Sequence, residues 1–213
     1  VCQQIHKQGG SAFLVGRDAE KVQRVANLFG WPCAAAEASD WSALETVAGQ
    51  AEQALAGIDT AINLAGSVLL KPAHLTSRDD WDQTLAANLH TAFGMVRTIV
   101  PKMFTHGGSV VLMSSAAASI GLSNHEAIAA CKAAIEGLVR SAAMTYANKR
   151  IRFNAVAPGL VQTPLTEKIW NQPRSAEASL SMHPLGRFGT PEELARAILF
   201  LASPEQSWLT GQI

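Results

Sequence analysis

Residues 109–132 read SVVLMSSAAASIGLSNHEAIAACK. The stretch opens on an apolar run, Val110 to Met113, short enough for a buried strand. It then turns through small residues, with Ser114 and Ser115 at the strand's end. From Asn124 it reads as a helix that carries one lysine, Lys132, in an alanine-rich setting. A hydroxyl at a strand's carboxyl end and a lysine on the next helix make an active-site edge of the kind α/β proteins build.

Working outward, the same alternation continues. Ser11 to Val15, Cys33 to Ala36, Thr60 to Leu64 and Ile151 to Val156 read as further strands. Residues 1–8 read as the tail of a helix closed by Gly9-Gly10. Asp18 caps a helix running to about Leu28, and Trp41 to Leu55 is an amphipathic helix ended by Gly57. A long helix spans about Arg78 to Phe104, bent near Pro101. The 125–147 helix begins with Ser123-x-x-Glu126, the pattern of a capping box. Pro164, Pro173 and Pro184 mark a loop reaching Gly189, and Thr190-Pro191-Glu192-Glu193 opens a last helix ending near Ala202. Strands alternating with helices predict a doubly wound parallel sheet, a Rossmann-like three-layer α/β/α arrangement, in one domain over 1–213. Right-handed crossovers put every strand's carboxyl end on one edge, where a small molecule would bind.

With 213 residues, 48% of them hydrophobic, the chain can bury one sizeable core. A formal net charge of zero gives no electrostatic case for nucleic acid or an anionic membrane. No apolar run approaches the roughly 20 residues that span a bilayer. No signal peptide is visible, and a start at Val1 leaves room for an N-terminal segment outside this chain. The three cysteines, Cys2, Cys33 and Cys131, are unpatterned. They suggest neither a disulfide framework nor a metal site, and suit a reducing, cytoplasmic setting.

Several segments together resemble the short-chain dehydrogenase/reductase family, nearly end to end. Asn63-Leu64-Ala65-Gly66 resembles that family's Asn-Asn-Ala-Gly turn. Asn88, in AANLHTAF, matches its helix asparagine, Ser115 its catalytic serine, and Lys132 the lysine of its Tyr-x-x-x-Lys motif. IRFNAVAPGLVQT, residues 151–163, resembles the strand and Pro-Gly turn beside the nicotinamide. Arg187 to Glu193 and Leu209 to Gln212 match its C-terminal segments. The resemblance implies an NAD(P)-dependent oxidoreductase acting on a small carbonyl or alcohol substrate. It also implies a homodimer or homotetramer formed through the long helices, where Ala129, Ala130, Ala133 and Ala134 allow close approach.

The chain departs from the family in three ways. The family's opening strand and glycine-rich phosphate turn would precede Val1, and its last strand would follow Ile213. Without the opening strand a gap would lie between the strands at 11–15 and 60–64, so either this is a fragment of a longer natural chain or those strands close up. The third departure is chemical: Ile128 stands four residues before Lys132, where the family has its catalytic tyrosine. Isoleucine transfers no proton. The chain's only tyrosine, Tyr146, lies fourteen residues past Lys132, about 21 Å along one helix. His125 falls within about 60° of both Ile128 and Lys132 on the helix wheel, so it is either a surrogate acid or a solvent-facing first-turn residue. Cys131 reads as a small buried thiol. The alternative to an enzyme is a non-catalytic relative that binds a dinucleotide or a partner.

For the cofactor, the resemblance places Arg17, in VGRD, where the family distinguishes its dinucleotides. An arginine there suits a 2′-phosphate, so NADP is expected, with NAD as the other possibility. Glu37 stands near the family's adenine-contacting aspartate. Asn63, Ala65 and Gly66 would line the adenosine side, and Lys132 would reach a ribose. Pro158, Gly159 and Thr163 would border the nicotinamide. Leu165 to His183, with Ile169, Trp170 and Met182, would form a lid over an apolar substrate.

Overall fold

The protein is described by a computed structural model covering residues 1–213. Strands and helices alternate along the chain as α1 (Cys2–Lys7), β1 (Leu14–Gly16), α2 (Ala19–Asn27), β2 (Cys33–Ala35), α3 (Trp41–Leu55) and β3 (Thr60–Ile62). There follow α4 (Arg78–Leu85), α5 (Thr91–Ile99), β4 (Gly108–Met113), α6 (Glu126–Tyr146) and β5 (Ile151–Val156). The chain ends with α7 (Glu167–Trp170), α8 (Pro173–Leu180) and α9 (Pro191–Ala202). Every strand pair is parallel. No helix is long and apolar enough to cross a membrane.

β4 lies at the centre of a three-stranded sheet ordered β3-β4-β5. Its side chains alternate between two apolar layers, as pleating requires. Val110 and Leu112 join Phe153, Val96, Val100 and Val139 in the large core beneath α5 and α6. Val111 points the other way, into a smaller cluster with Ile198 and Ala202 of α9. Helices thus cover both faces, which is why the strands carry uninterrupted apolar runs.

β1 and β2 form a separate two-stranded sheet. The neighbouring strands therefore do not close up, and a gap stands between β1 and β3. The small sheet is joined to the large one by packing. Phe13 packs against the main core, and Trp41 of α3 lies against Phe93 of α5 with ring centroids 5.6 Å apart. Arg97 sits over the Trp41 ring and also pairs with Glu45.

Three local expectations are corrected. The 78–104 helix is a chain of segments: residues 86–90 form a π turn between α4 and α5, and residues 100–103 tighten to a 3₁₀ turn at Pro101. The expected loop after 163 holds α7 and α8, because Pro173 occupies a first-turn position where its missing N–H costs nothing. The Ser123–Glu126 capping box does not form. Asn124 takes a left-handed conformation, and α6 starts at Glu126 with His125 as its N-cap. A capping box does form between Thr190 and Glu193, at the start of α9.

The C-terminal residues run beside β5. Ala155 N–H donates to Gln212 O at 2.9 Å, and Asn154 Nδ2 donates to Leu209 O at 2.9 Å. Arg152 fastens this corner. Its guanidinium donates to the carbonyls of Leu201, Ala202, Ser203 and Leu209 at 2.9–3.3 Å. A cation at the carboxyl end of α9 satisfies carbonyls that have no helical partner. Replacing Arg152 by Met keeps the stem and removes the donors, so it should destabilise the chain by about 2–4 kcal/mol. The shift in urea midpoint measures it, and an unchanged midpoint would show that water serves these carbonyls equally well.

Candidate functional site

In a parallel sheet β3, β4 and β5 all end on one edge. The ladder continues past the strands and sets the path of the turns beyond them. Asn63 N–H donates to Val111 O at 3.0 Å, Ser114 N–H to Val156 O at 2.8 Å, and Ala116 N–H to Pro158 O at 2.9 Å. Asn63, Ser115 and Pro158 are thereby lined up by backbone alone.

Asn63 is buried and shapes the turn after β3. Its Oδ1 accepts the Ala65 N–H at 2.8 Å, and its Nδ2 donates to Thr91 Oγ1 at 3.4 Å. Ala65 and Gly66 are left exposed. Asn88 projects from the π turn and is buried. Its Nδ2 donates to Thr84 O at 2.9 Å and Ser67 Oγ at 3.1 Å, while its Oδ1 accepts the Ser67 N–H at 3.3 Å. A Cβ added to Gly66 would lie 2.9 Å from Asn88 Oδ1 and 3.7 Å from Lys132 Nζ. Only glycine lets this turn settle against both side chains.

Lys132 is buried, and its Nζ donates to Met113 O at 2.9 Å. Burial pushes its pKa down to about 8, with the Cys131 thiol beside it pulling weakly the other way. The same burial raises the Cys131 thiol, which marks it as an inert core residue. Ser114 is committed: its hydroxyl donates to Glu136 Oε1 at 2.8 Å, and Glu136 Oε2 lies 3.8 Å from Arg140. Ser115 is not. It accepts the Ala117 N–H at 3.2 Å, is half-buried, and keeps its hydroxyl proton for another acceptor.

Ile128, one helical turn before Lys132, is a buried aliphatic side chain, 4% exposed. His125 is half-buried, and its Nδ1 donates to Ser123 O at 2.7 Å, leaving Nε2 as the nitrogen available for chemistry. Arg17 follows β1, exposed and outside every ion pair. Glu37 turns back onto Ser39, accepting from its N–H at 3.4 Å and its hydroxyl at 3.3 Å. Thr163 O accepts from Trp170 Nε1 at 3.1 Å, and Gly159 lies against His183.

The predicted residues therefore fall into two groups. Asn63, Gly66, Asn88, Ser115, Lys132, Pro158 and Gly159 belong to the edge of the large sheet. Arg17 and Glu37 belong to the small one. Ser67, Glu136 and His183 were missed by sequence reasoning. Ser67 stands directly after the Asn-Leu-Ala-Gly turn, and Glu136 falls one helical turn beyond Lys132, so both carried a spacing signal. An apolar groove between β5 and α9, with Phe200 and Ile213 in its lining, holds no titratable group and is not this site.

Comparison with known proteins gives the chain's relatives. A family model described as enoyl-(acyl carrier protein) reductase matches residues 1–213. The 3-oxoacyl-(acyl-carrier-protein) reductase FabG of Thermotoga maritima is 39% identical over 178 residues, covering 82% of this chain and 71% of that protein. Galactitol 2-dehydrogenase (L-tagatose-forming) of Cereibacter sphaeroides is 35% identical over 219 residues, covering 100% and 86%. Cyclopentanol dehydrogenase of Comamonas testosteroni is 32% identical over 209 residues, covering 98% and 76%.

The buried amine has a signature in stability. The folded chain gives up the Lys132 proton near about 8, whereas the unfolded chain holds it to 10.5. Between those values the unfolded state binds more protons, so stability rises with pH. Relative to Lys132→Met, the unaltered protein should gain roughly 3 kcal/mol from about pH 8 to about pH 10.5. Urea unfolding of both across that range tests it, and parallel pH profiles would refute a buried ammonium.

Proposed function

This chain belongs to the short-chain dehydrogenase/reductase family, and we propose that it is an NAD(P)-dependent oxidoreductase that interconverts a small carbonyl and its alcohol. The observation that carries the reading is the meeting of Gly66, Asn88 and Lys132 at the sheet edge where Ser115 keeps a hydroxyl proton. Lys132 suits the nicotinamide ribose as a buried donor, and the backbone that Gly66 bares beside it suits the adenosine side. Asn63, Ala65 and Gly66 would line the adenosine side, and Pro158, Gly159 and Thr163 the nicotinamide. A bound nicotinamide supplies or accepts the hydride. The glycine-rich turn that cradles a pyrophosphate in this family is not among these residues, so the proposal assigns that end no contact.

For substrate, Ser115 would donate to the carbonyl oxygen and hold it. Lys132 would orient the ribose, with Asn88 fixing the turn that lies on it. Ile128 adds only an apolar wall. The proton for the forming alcohol then has to come from His125 Nε2 or from water, the groups left once the phenol is gone. Arg17, exposed and unpaired, favours a 2′-phosphate and hence NADP. Ala130, Ala133 and Ala134 stay exposed on α6, which suits homodimer packing through the long helices. Relatives acting on alcohols and ketones set the substrate class we propose, and the α7–α8 segment, with Ile169, Trp170 and Met182, suits an apolar member of it.

The direct test is titration with NADPH and NADH, followed by nicotinamide fluorescence. NADPH should bind more tightly, and Arg17→Ala should erase about tenfold of that preference while leaving NADH unaffected. Binding of neither would sink the reading. One observation favours a second reading, a dinucleotide binder without chemistry, namely the buried Ile128. Turnover itself separates the two, and His125→Ala tests the surrogate acid. In an oxidoreductase served by His125 it abolishes turnover and leaves cofactor affinity unchanged. Ile128→Tyr should raise carbonyl reduction, by about 10²-fold or more where the phenol regains the proton. A variant that binds cofactor normally yet gains nothing would mean the pocket has lost competence beyond this one residue.

A further inference from the structure

We propose that His183 is a positioning residue that latches the segment 164–183 onto the Pro158–Gly159–Leu160 turn, and that the latch holds only while its imidazole is neutral. Two hydrogen bonds fix the ring. Leu160 N–H donates to His183 Nε2 at 3.0 Å, and His183 Nδ1 donates to Ser179 O at 2.7 Å. A backbone N–H can only donate, so Nε2 must be bare. A carbonyl can only accept, so Nδ1 must carry the proton. Together they require the neutral ring in one tautomer. A second proton, on Nε2, would set donor against donor and break the bond to Leu160.

The surroundings are built for this contact. A Cβ on Gly159 would lie 2.8 Å from His183 Nε2, so glycine is what lets the ring reach the turn. Phe188 meets the imidazole edge-on, with centroids 5.5 Å apart. Pro158, Gly159 and Leu160 carry no titratable group. The charged residues of the latched segment, Glu167, Lys168, Arg174 and Glu177, are all exposed. Arg187, on the following loop, is exposed and bound to Glu193. None of the ion pairs includes His183, so no carboxylate compensates a charge on the ring. The near end of the segment is tied separately, by Trp170 Nε1 to Thr163 O and by Thr166 Oγ1 to Thr163 O at 3.2 Å. His183 is the fastening at the far end.

The consequence for the reaction rests on the proposed function. If Pro158 and Gly159 border the nicotinamide, the latch sets where the apolar segment lies over bound substrate. A second proton on the ring then loosens the segment and weakens substrate binding.

NMR of the ¹⁵N-labelled chain tests the latch without any need for activity. Imidazole ¹⁵N shifts should show His183 with the proton on Nδ1 near neutral pH. The opposite tautomer, or a charged ring there, overturns the proposal. When the pH is lowered until the His183 ring gains its second proton, the Leu160 amide resonance should move in step with it. In His183→Gln, which offers an acceptor that does not titrate, it should stay in place. A Leu160 resonance that ignores the His183 titration, or that titrates equally in the Gln variant, also overturns it. In turnover assays the same pH drop should raise KM at least about fivefold more in the unaltered protein than in His183→Gln, with kcat less affected. Absence of turnover would count against the oxidoreductase reading alone, because the NMR result stands by itself.

Discussion

β4 has no face open to water. Val110, Val111 and Leu112 are wholly buried, two toward the α5–α6 layer and one toward α9. A strand covered on both faces can hold polar side chains only near its ends, where backbone or neighbours satisfy them. Both ends obey this. Ser109 donates to Leu201 O at 3.1 Å and Ser114 to Glu136, so each buried hydroxyl has a partner. Ser115 is the first residue beyond that constraint. The amine of Lys132, buried by the same packing, is answered by the last carbonyl of the strand, Met113 O. The chemistry at the edge is thus a by-product of how completely the strand is covered. The depressed pKa of Lys132 shows the cost of that cover.

Much of this could be read from the chain. The strands at 33–35, 60–62, 108–113 and 151–156 and the helix at 41–55 follow from apolar runs and their boundaries. Asn63, Asn88, Ser115 and Lys132 were identifiable because short motifs fix their spacing. What stayed hidden depends on conformation rather than composition. The prolines after 163 read as breakers, yet Pro164 and Pro173 open helical turns. Ser123 and Glu126 have the right spacing for a capping box, but Asn124 turns left-handed between them and moves the helix start. Of Ser11–Val15, only the end enters a strand, since Phe13 is drawn toward the main core. His183 stood in a loop with no periodic pattern, and its partner lies 23 residues away.

The two sheets divide the candidate dinucleotide site. Arg17 and Glu37 ride on β1 and β2, and the remaining residues on β3, β4 and β5. No strand pairing joins the two parts. Their separation is set by side chains, among them the buried Leu44, Val47, Ala48 and Ala51 of α3, Trp41 against Phe93, and Arg97 over Trp41. Such packing is softer than a hydrogen-bonded ladder, since dispersion falls off gradually and rotamers can adjust. The placement of Arg17 and Glu37 relative to the other predicted residues therefore depends on the packing of α3 against α5.

The π turn at 86–90 carries one further implication. An i→i+5 turn takes up one residue more than the α ladder would. α4 and α5 on either side make their ordinary contacts, with Thr84, Ala92 and Val96 buried. Deleting a single residue from this turn would let the regular ladder close with both flanking helices still facing the core. The casualty would be Asn88, carried away from Ser67 and Gly66. The extra residue of this turn thus serves the contact of Asn88 with Ser67 and Gly66, and the core alone would accept a shorter helix.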